Sequence, residues 1–521
     1  MKKIRIIARL DVKGPNVIKG VNFECLRVMG NPRELAEKYY LQGADELIYI
    51  DTVASLYGRQ NLLDIVNSTS NNIFIPFTVG GGVRTIDDIR SLLKAGADKV
   101  AINTAATKNP SLIAKSAKIF GSQCIVVSIE AKKTQENKWE AYRDNGREKT
   151  ALDAIKWAQK AEKLGAGEIL ITSVDKEGTE SGYDLELIKK ISQVVSIPVI
   201  ASGGAGKIED FISCAKIGNI DGLAAASLLH YNKITIGEIK DALSKHAIGI
   251  RNVAYKKTKS NPANKYDSDN YNKFTLKHMK QLDAEQQKIK SKKNEAMIQD
   301  ISKADIGIID YGINNLKSIS KAFEKIGKTS KIIDTPQDVM AAKCLVLPGI
   351  GAFGDAMKEI KRKKLEKPIK IKIKQGTPLL GICLGMQLLF SESEEFGLHK
   401  GLDLIKGRVI RLRAPKKDEI GYKVPHIGWN KLRVPSFSRN KSVWKNSLLK
   451  NIKEQSEVYF VHSYYPIPAE PQVVIATTEY GNLEFCCVIK KDNVSATQFH
   501  PEKSGESGLC ILKEFCSQHK I

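Results

Sequence analysis

The first 250 residues carry an internal repeat, and its period constrains the fold more than any other feature of the chain. GGGVRTIDDI (80–89) matches SGGAGKIEDF, which ends at Phe211, at an offset of 122. QGADELIYI (42–50) matches LGAGEILIT (164–172) at the same offset. NTAA after one apolar run matches ASLL after another at an offset of about 123. Three matches in register argue against chance similarity and for two copies of one structural unit.

The units are legible in the residues. ELIYID (46–51), FIPFTVG (74–80), KVAIN (99–103), CIVVSIE (124–130), EILITSVD (168–175) and IPVIASGG (197–204) are apolar nearly throughout. Strands of this kind are covered on both faces, as in a parallel sheet. Helical patterns such as TIDDIRSLLKAGA follow them. Repeated βα units over residues 1–250 predict an α/β fold, a (β/α)8 TIM barrel built from two half-barrels.

Composition fits a globular protein and narrows the partners. Of 521 residues, 42% are hydrophobic and 27% charged, which excludes a fibrous repeat or a wholly disordered chain. No apolar run reaches the roughly 20 residues needed to span a bilayer, so no membrane partner is expected. Arg5, Arg9, Asp11 and Lys13 interrupt the first apolar stretch, which does not read as a signal peptide. The net charge of +24 raises a nucleic-acid partner, but the basic residues are spread along the chain without a binding motif. A lysine-rich solvated surface is the expectation. Nine cysteines without framework spacing point to a reducing cytoplasm.

Texture changes after the barrel. Residues 255–304 hold 12 Lys against 6 Asp and Glu. Residues 251–304 are expected to form a charged linker, part of it a surface helix. The βα pattern restarts at DIGIIDYG (305–312), and 305–521 is expected to form a second α/β domain with an open, mostly parallel sheet.

In TPLLGICLGMQLLF, Cys383 lies between Gly381 and Gly385 where a strand meets a helix. G-x-C-x-G is the cysteine form of the nucleophile elbow, which raises its side chain above the sheet at a helix N-terminus. The helix dipole there favours the thiolate. In QFHPEKS, His500 and Glu502 are two residues apart, which in an extended segment places both on one face. The imidazole can then activate Cys383 while the carboxylate orients the ring. LPGIGAF (347–353) is expected to present backbone N–H groups from Gly349 to Gly351 to an oxyanion.

LPGIGAFGDAM, GICLGMQLLF, PHIGWN, VHSYY and QFHPEKS resemble the class I glutamine amidotransferases, over about 305–521. The resemblance implies that Cys383 attacks the side-chain amide of L-glutamine and forms a glutamyl thioester, releasing ammonia. It assigns Gln387, Ser463 and Tyr464 to holding the glutamine. One departure is INN at 313–315, where Gly usually precedes the Asn.

The barrel has its own chemistry. Two Gly-rich strand ends, Gly80–Gly82 and Gly203–Gly204, occupy equivalent places in the two halves, each followed by a polar strand end, Asn103–Thr104 and Ser227. Backbone N–H groups at such turns bind phosphate, so the pair implies a substrate with a phosphate at each end. Asp11 and Glu130 end equivalent strands on the rim where barrel active sites form. They can act as general acid and base.

This half resembles the cyclase part of the imidazole glycerol phosphate synthase family, through RLDVKGPNVIKGVNF, TVGGGVRTIDDI, AGADKVAINTAA, TSVDKEGTESGYD and ASGGAG. The resemblance implies that ammonia and the bisphosphorylated intermediate PRFAR give imidazole glycerol phosphate and AICAR ribonucleotide, with no cofactor or metal. It assigns Asp11 to acid–base work, and Lys19, Thr172, Glu177 and Gly178 to substrate contact. Arg5, Glu46, Lys99 and Glu168 match the charged ring that gates ammonia into the barrel, and Asp98 and Lys503 match residues facing each other across the domain interface. Three departures stand out: Glu130 and Glu177 replace Asp, and Arg9 replaces Cys. Each Glu moves a charge outward by one methylene. Similar pairs in surface-sugar pathways supply ammonia for amidino or amide groups, and the departures keep that alternative open. A catalytically silent scaffold is the reading of another class, and glutamine hydrolysis separates it.

Overall fold

Eight parallel strands pair in sequence order, and the last returns to the first. They are β1 (Arg5–Lys13), β2 (Glu46–Asp51), β3 (Phe77–Gly80), β4 (Lys99–Ile102), β5 (Ile125–Gln135), β6 (Glu168–Ser173), β7 (Val199–Ser202) and β8 (Gly222–Ala225). The ladders β1–β2 through β7–β8 are parallel, and β8 pairs with β1 through Arg5↔Gly222 to Ala8↔Ala225, closing the barrel. The structure is a computed structural model describing residues 2–52, 60–253, 304–312, 315–413, 422–438 and 442–521. Most of the linker expected at 251–304 lies outside the described residues, as do Ile313 and Asn314.

Alternation along β1 explains the barrel's two interiors. Ile6, Ala8, Leu10 and Val12 join the large core between sheet and helices. Ile7 instead joins a separate cluster with Ile48, Ile50, Ala101, Val126, Leu170, Ile200 and Ala224, which is the bore. Arg5, Arg9 and Asp11 share the face of Ile7, because side chains two apart in a strand point the same way. All three are buried. The surrounding helices begin at side-chain caps, for example Thr85 and Asp88 in a reciprocal capping box. Each half also carries a hairpin after its first strand, Asn16–Val21 with Glu24–Gly30 and Lys138–Arg143 with Glu148–Asp153.

In the second domain a seven-stranded sheet runs in the order Ser330–Ile333, Ile306–Ile309, Leu345–Leu347, Leu379–Ile382, Val494–Thr497, Leu483–Lys491, Val474–Tyr480. The first five strands are parallel and the last two antiparallel. A four-stranded sheet and the antiparallel pair His426–Lys431 with Glu457–His462 complete it.

The second domain docks against the N-terminal ends of the barrel strands. Asp45, Asp98 and Asp221 each precede a strand there. Trp429 Nε1 donates to the Asp45 carbonyl at 3.2 Å, Lys503 pairs with Asp98 at 2.8 Å, and Lys423 Nζ lies 3.3 Å from Asp221. Asn315 donates to the carbonyls of Gly96 and Ala97 and to Asp98 Oδ1. The Arg251 guanidinium lies 3.2 Å above the Trp429 ring. Ile350, Ile427, Trp429, Tyr459 and Val461 of the second domain belong to the barrel's own core cluster. One continuous apolar contact thus holds the two domains, and charged pairs surround it.

Candidate active sites

Cys383 sits in the turn between strand Leu379–Ile382 and helix Leu384–Leu388 with φ 53° and ψ −109°. A non-glycine residue in such a conformation is strained by about 1–3 kcal/mol, as at nucleophile elbows. The neighbours permit it: a Cβ on Gly385 would overlap the Leu347 carbonyl oxygen. The helix is a single buried turn and a half, shorter than the amphipathic run in the sequence suggests. The thiol is 4% exposed. Its Sγ lies 3.9 Å from the Val461 carbonyl and 3.6 Å from Gln498 Nε2.

His500 Nδ1 and Glu502 Oε1 are 2.7 Å apart. The extended geometry expected for this pair is not what joins them. The strand ends at Thr497, and Pro501–Lys503 form a 3-10 turn that folds the carboxylate back onto the ring. Proline after His500 favours that turn. His500 Nε2 is buried and hydrogen-bonds to none of the described residues. Burial alone would lower the imidazole pKa, but the charges of Cys383 and Glu502 outweigh it and hold it well above the usual histidine range. The ring is thus held toward its protonated form.

The oxyanion side differs from expectation. The Gly349 carbonyl accepts from the Leu384 N–H at 3.4 Å. That N–H belongs to the residue after Cys383, the position that supplies an oxyanion donor at a nucleophile elbow. Gly349 therefore faces the site with its oxygen, and the peptide after it has to turn before Gly349–Gly351 present N–H groups. Gln387 Nε2 donates to the Tyr464 carbonyl at 2.9 Å and to Gln498 Oε1 at 3.1 Å. Ser463 lies 3.2 Å from Ser122 of the barrel, on the domain boundary. A residue the sequence did not point to is Glu395. It is buried, accepts from the Phe353 N–H at 2.7 Å, and is pushed up to about 7 by burial. Its carboxylate also raises the Tyr464 phenol.

At the docked end of the bore four charges alternate. Arg5 pairs with Glu46 at 2.6 Å and with Glu168; Lys99 pairs with Glu46 at 2.6 Å and Glu168 at 2.5 Å. None is more than 2% exposed. Thr78 adds a hydrogen bond to Glu46 at 2.7 Å. Burial alone would raise the Glu46 pKa, but Lys99 and Arg5 bring it below the usual range. Tyr459 of the second domain is buried within the field of these charges, its hydroxyl making no hydrogen bond to the described residues. Tyr459 and Val461 share a strand two residues apart, so one segment packs into the barrel's core and lines the thiol.

At the far rim, Asp11 accepts from Arg9 Nε at 2.9 Å and lies 3.3 Å from Lys19 Nζ, which also pairs with Glu177. Burial would raise the Asp11 pKa, yet Arg9 and Lys19 hold it below the usual carboxylate range. Glu130 accepts from the Gly146 N–H at 2.8 Å. Burial pushes it up to about 7. Two buried carboxylates with pKa values driven apart suit an acid–base pair. Lys19, Glu177, Gly178, Gly203, Gly204 and Ser227 line one pocket. The first half's counterpart is less open: Asn103 donates to the Tyr142 carbonyl and Thr104 to Asp144. Gly82, at the other Gly-rich end, adopts a left-handed φ of 61°.

Residues 5–235 match the family described as "Histidine biosynthesis protein", and residues 307–518 match "Glutamine amidotransferase class-I". The "Imidazole glycerol phosphate synthase subunit HisF" of Legionella pneumophila is 65% identical over 211 residues, covering 40% of this chain and 100% of the relative. The chain belongs to the imidazole glycerol phosphate synthase family. Proteins of the same name from Alkaliphilus metalliredigens and Hydrogenobaculum sp. are each 51% identical over 247 residues, 47% of this chain and 98% of theirs. This synthase-family chain places its class-I amidotransferase domain after the cyclase. Among the described residues, no group of three or more His, Cys, Asp or Glu could hold a metal ion, and no helix is long and apolar enough to cross a membrane.

Proposed function

We propose that this chain is a bifunctional, glutamine-dependent imidazole glycerol phosphate synthase of histidine biosynthesis. Cys383, activated by His500 and Glu502, hydrolyses glutamine. Gln387, Ser463 and Tyr464 hold the substrate. Neutral ammonia passes the Arg5–Glu46–Lys99–Glu168 ring, crosses the apolar bore and meets PRFAR, held by both its phosphates at the rim. Lys19 and the Gly178, Gly204 and Ser227 pocket take one phosphate; Gly82, Asn103 and Thr104 take the other. Asp11 serves as base and Glu130 as acid. The observation that carries this reading is the strand Glu457–His462, which sends Tyr459 into the barrel's core cluster and sets the Val461 carbonyl 3.9 Å from the thiol. A continuous linker over 251–304 keeps one glutaminase per barrel, at an effective concentration of about millimolar.

The deciding experiment is turnover of PRFAR by the purified chain with ammonium salt, and rescue of a histidine auxotroph lacking both synthase parts. Failure of both overturns the assignment. A second reading, ammonia supply for an amidino or amide sugar, is favoured by Arg9, which grips Asp11 where the family usually has Cys. That reading predicts intact glutaminase activity with no PRFAR turnover.

Glu130 makes a pH prediction. As general acid it must be protonated, and its folded pKa of about 7 leaves that form abundant below 7 and scarce above. The ammonium-driven rate, corrected for free ammonia, is expected to fall as pH rises through 7. Glu130→Gln removes that limb and lowers the rate about 10²–10⁴-fold. An unchanged limb in the variant assigns it to another group.

A further inference from the structure

Arg9 stands out because it departs from the family pattern and lies on the route just proposed. The face of β1 that lines the bore reads Arg5, Ile7, Arg9, Asp11. Arg5 belongs to the charged ring and Ile7 to the apolar layer above it. Arg9 comes next and is 3% exposed. Its Nε donates to Asp11 on its own strand, but its Nη1 donates to Thr172 Oγ1 at 2.9 Å and Ser202 Oγ at 3.0 Å. Thr172 is on β6 and Ser202 on β7, while the neighbours of β1 are β2 and β8. The guanidinium therefore reaches across the bore, not along its wall. The Phe23 ring of the first hairpin stacks 5.7 Å from it.

We infer that Arg9 is a second closure on the ammonia route, a guanidinium crossbar between the apolar layer and the rim, drawn aside when an anionic acceptor binds. This rests on the reading that ammonia crosses the barrel. The charges explain why an anion moves it. Two cations, Arg9 and Lys19, face two carboxylates, Asp11 and Glu177, so the closed cluster is balanced. A phosphate or carboxylate entering the pocket beside Ser202 adds a negative partner, and a planar guanidinium binds such groups through two parallel hydrogen bonds. Thr172 and Ser202 are neutral acceptors and compete poorly. The closed crossbar confines ammonia to the chamber until the acceptor is seated. Arg9 is a positioning and specificity residue here, and forms no bond to the reacting atoms.

The test uses the full chain, Arg9→Lys and Arg9→Ala, with glutamine and PRFAR below saturation, where wild-type molecules without acceptor keep the crossbar closed. Glutamate formed and ammonia escaping to solvent are measured together. Lysine keeps a cation beside Asp11 but cannot fork to both hydroxyls. Losing one hydrogen bond from a charged donor shifts the closed state about tenfold, so the escaping fraction is expected to rise about that much in Arg9→Lys and further in Arg9→Ala, which loses all three. In Arg9→Lys the pH profile of the ammonium-driven rate stays as in wild type because a cation remains beside Asp11, and a role limited to ionising Asp11 then predicts no rise in escaping ammonia in that variant. An escaping fraction equal to wild type in both variants overturns the proposal. If wild-type protein leaves PRFAR untouched with ammonium, or the variants do not fold, crystals of wild-type protein with inorganic phosphate decide instead. Arg9 turned from Thr172 and Ser202 onto bound phosphate supports the crossbar. Arg9 still on both hydroxyls, with or without phosphate at the rim, overturns it.

Discussion

Cys383→Ala is expected to lower glutamine hydrolysis by about 10⁴-fold or more, since removing the nucleophile of such a triad abolishes nearly all covalent catalysis. Ammonium-driven turnover at the barrel should persist, because the thiol lies in the other domain and Arg5, Glu46, Lys99 and Glu168 are untouched. The alanine leaves a small cavity beside Val461 and Gln498, and the elbow keeps its strained backbone. Assaying glutamate release and ammonium-driven product on one preparation separates the two activities. Glutaminase activity within tenfold of wild type would place the nucleophile elsewhere and remove the basis for the Cys383–His500–Glu502 assignment.

Asp11→Asn is expected to remove PRFAR turnover with either nitrogen source while glutamine hydrolysis survives. The amide keeps the shape of the carboxylate and can accept one hydrogen bond from Arg9, but it cannot take a proton as a base. General-base loss is worth about 10²–10⁴-fold. A second effect works in the same direction. Arg9 and Lys19 are both buried and share Asp11 as a counter-ion, so neutralising it leaves excess positive charge in the bore. Removing one partner of a buried pair costs about 3–5 kcal/mol when the other stays unpaired; here Glu177 still pairs with Lys19, which softens the loss. A melting curve on the same sample separates lost chemistry from lost folding. Retained PRFAR turnover in a folded Asp11→Asn protein would sink the acid–base role.

Several residues show how far local pattern reaches. The G-x-C-x-G turn was legible because its geometry is local: one strand end, one tight turn, one helix start. His500 and Glu502 were found together for the same reason, though a 3-10 turn and not an extended segment joins them. Glu395 had no such signal. It lies in the unremarkable stretch SESEEFG, and only the fold brings it to the Phe353 N–H and toward Tyr464. Gly349 illustrates the opposite case, a local motif whose carbonyl, not its N–H, faces Leu384.

The sequence by itself determined the class of both domains, through apolar strands at regular intervals, a half-barrel repeat and two short catalytic motifs. These are written in periodicity and in neighbours a few residues apart. Only the tertiary structure decided what fills the bore and which ends meet. Arg9 meets Thr172 and Ser202 across 163 and 193 residues, and Asn315 meets Asp98 across 217. Alternation puts Arg9 inside the barrel, but whether a buried cation lies along the wall or spans the opening depends on which strands close opposite it. That choice is made by packing and charge balance over the whole barrel, and no local stretch of chain contains it.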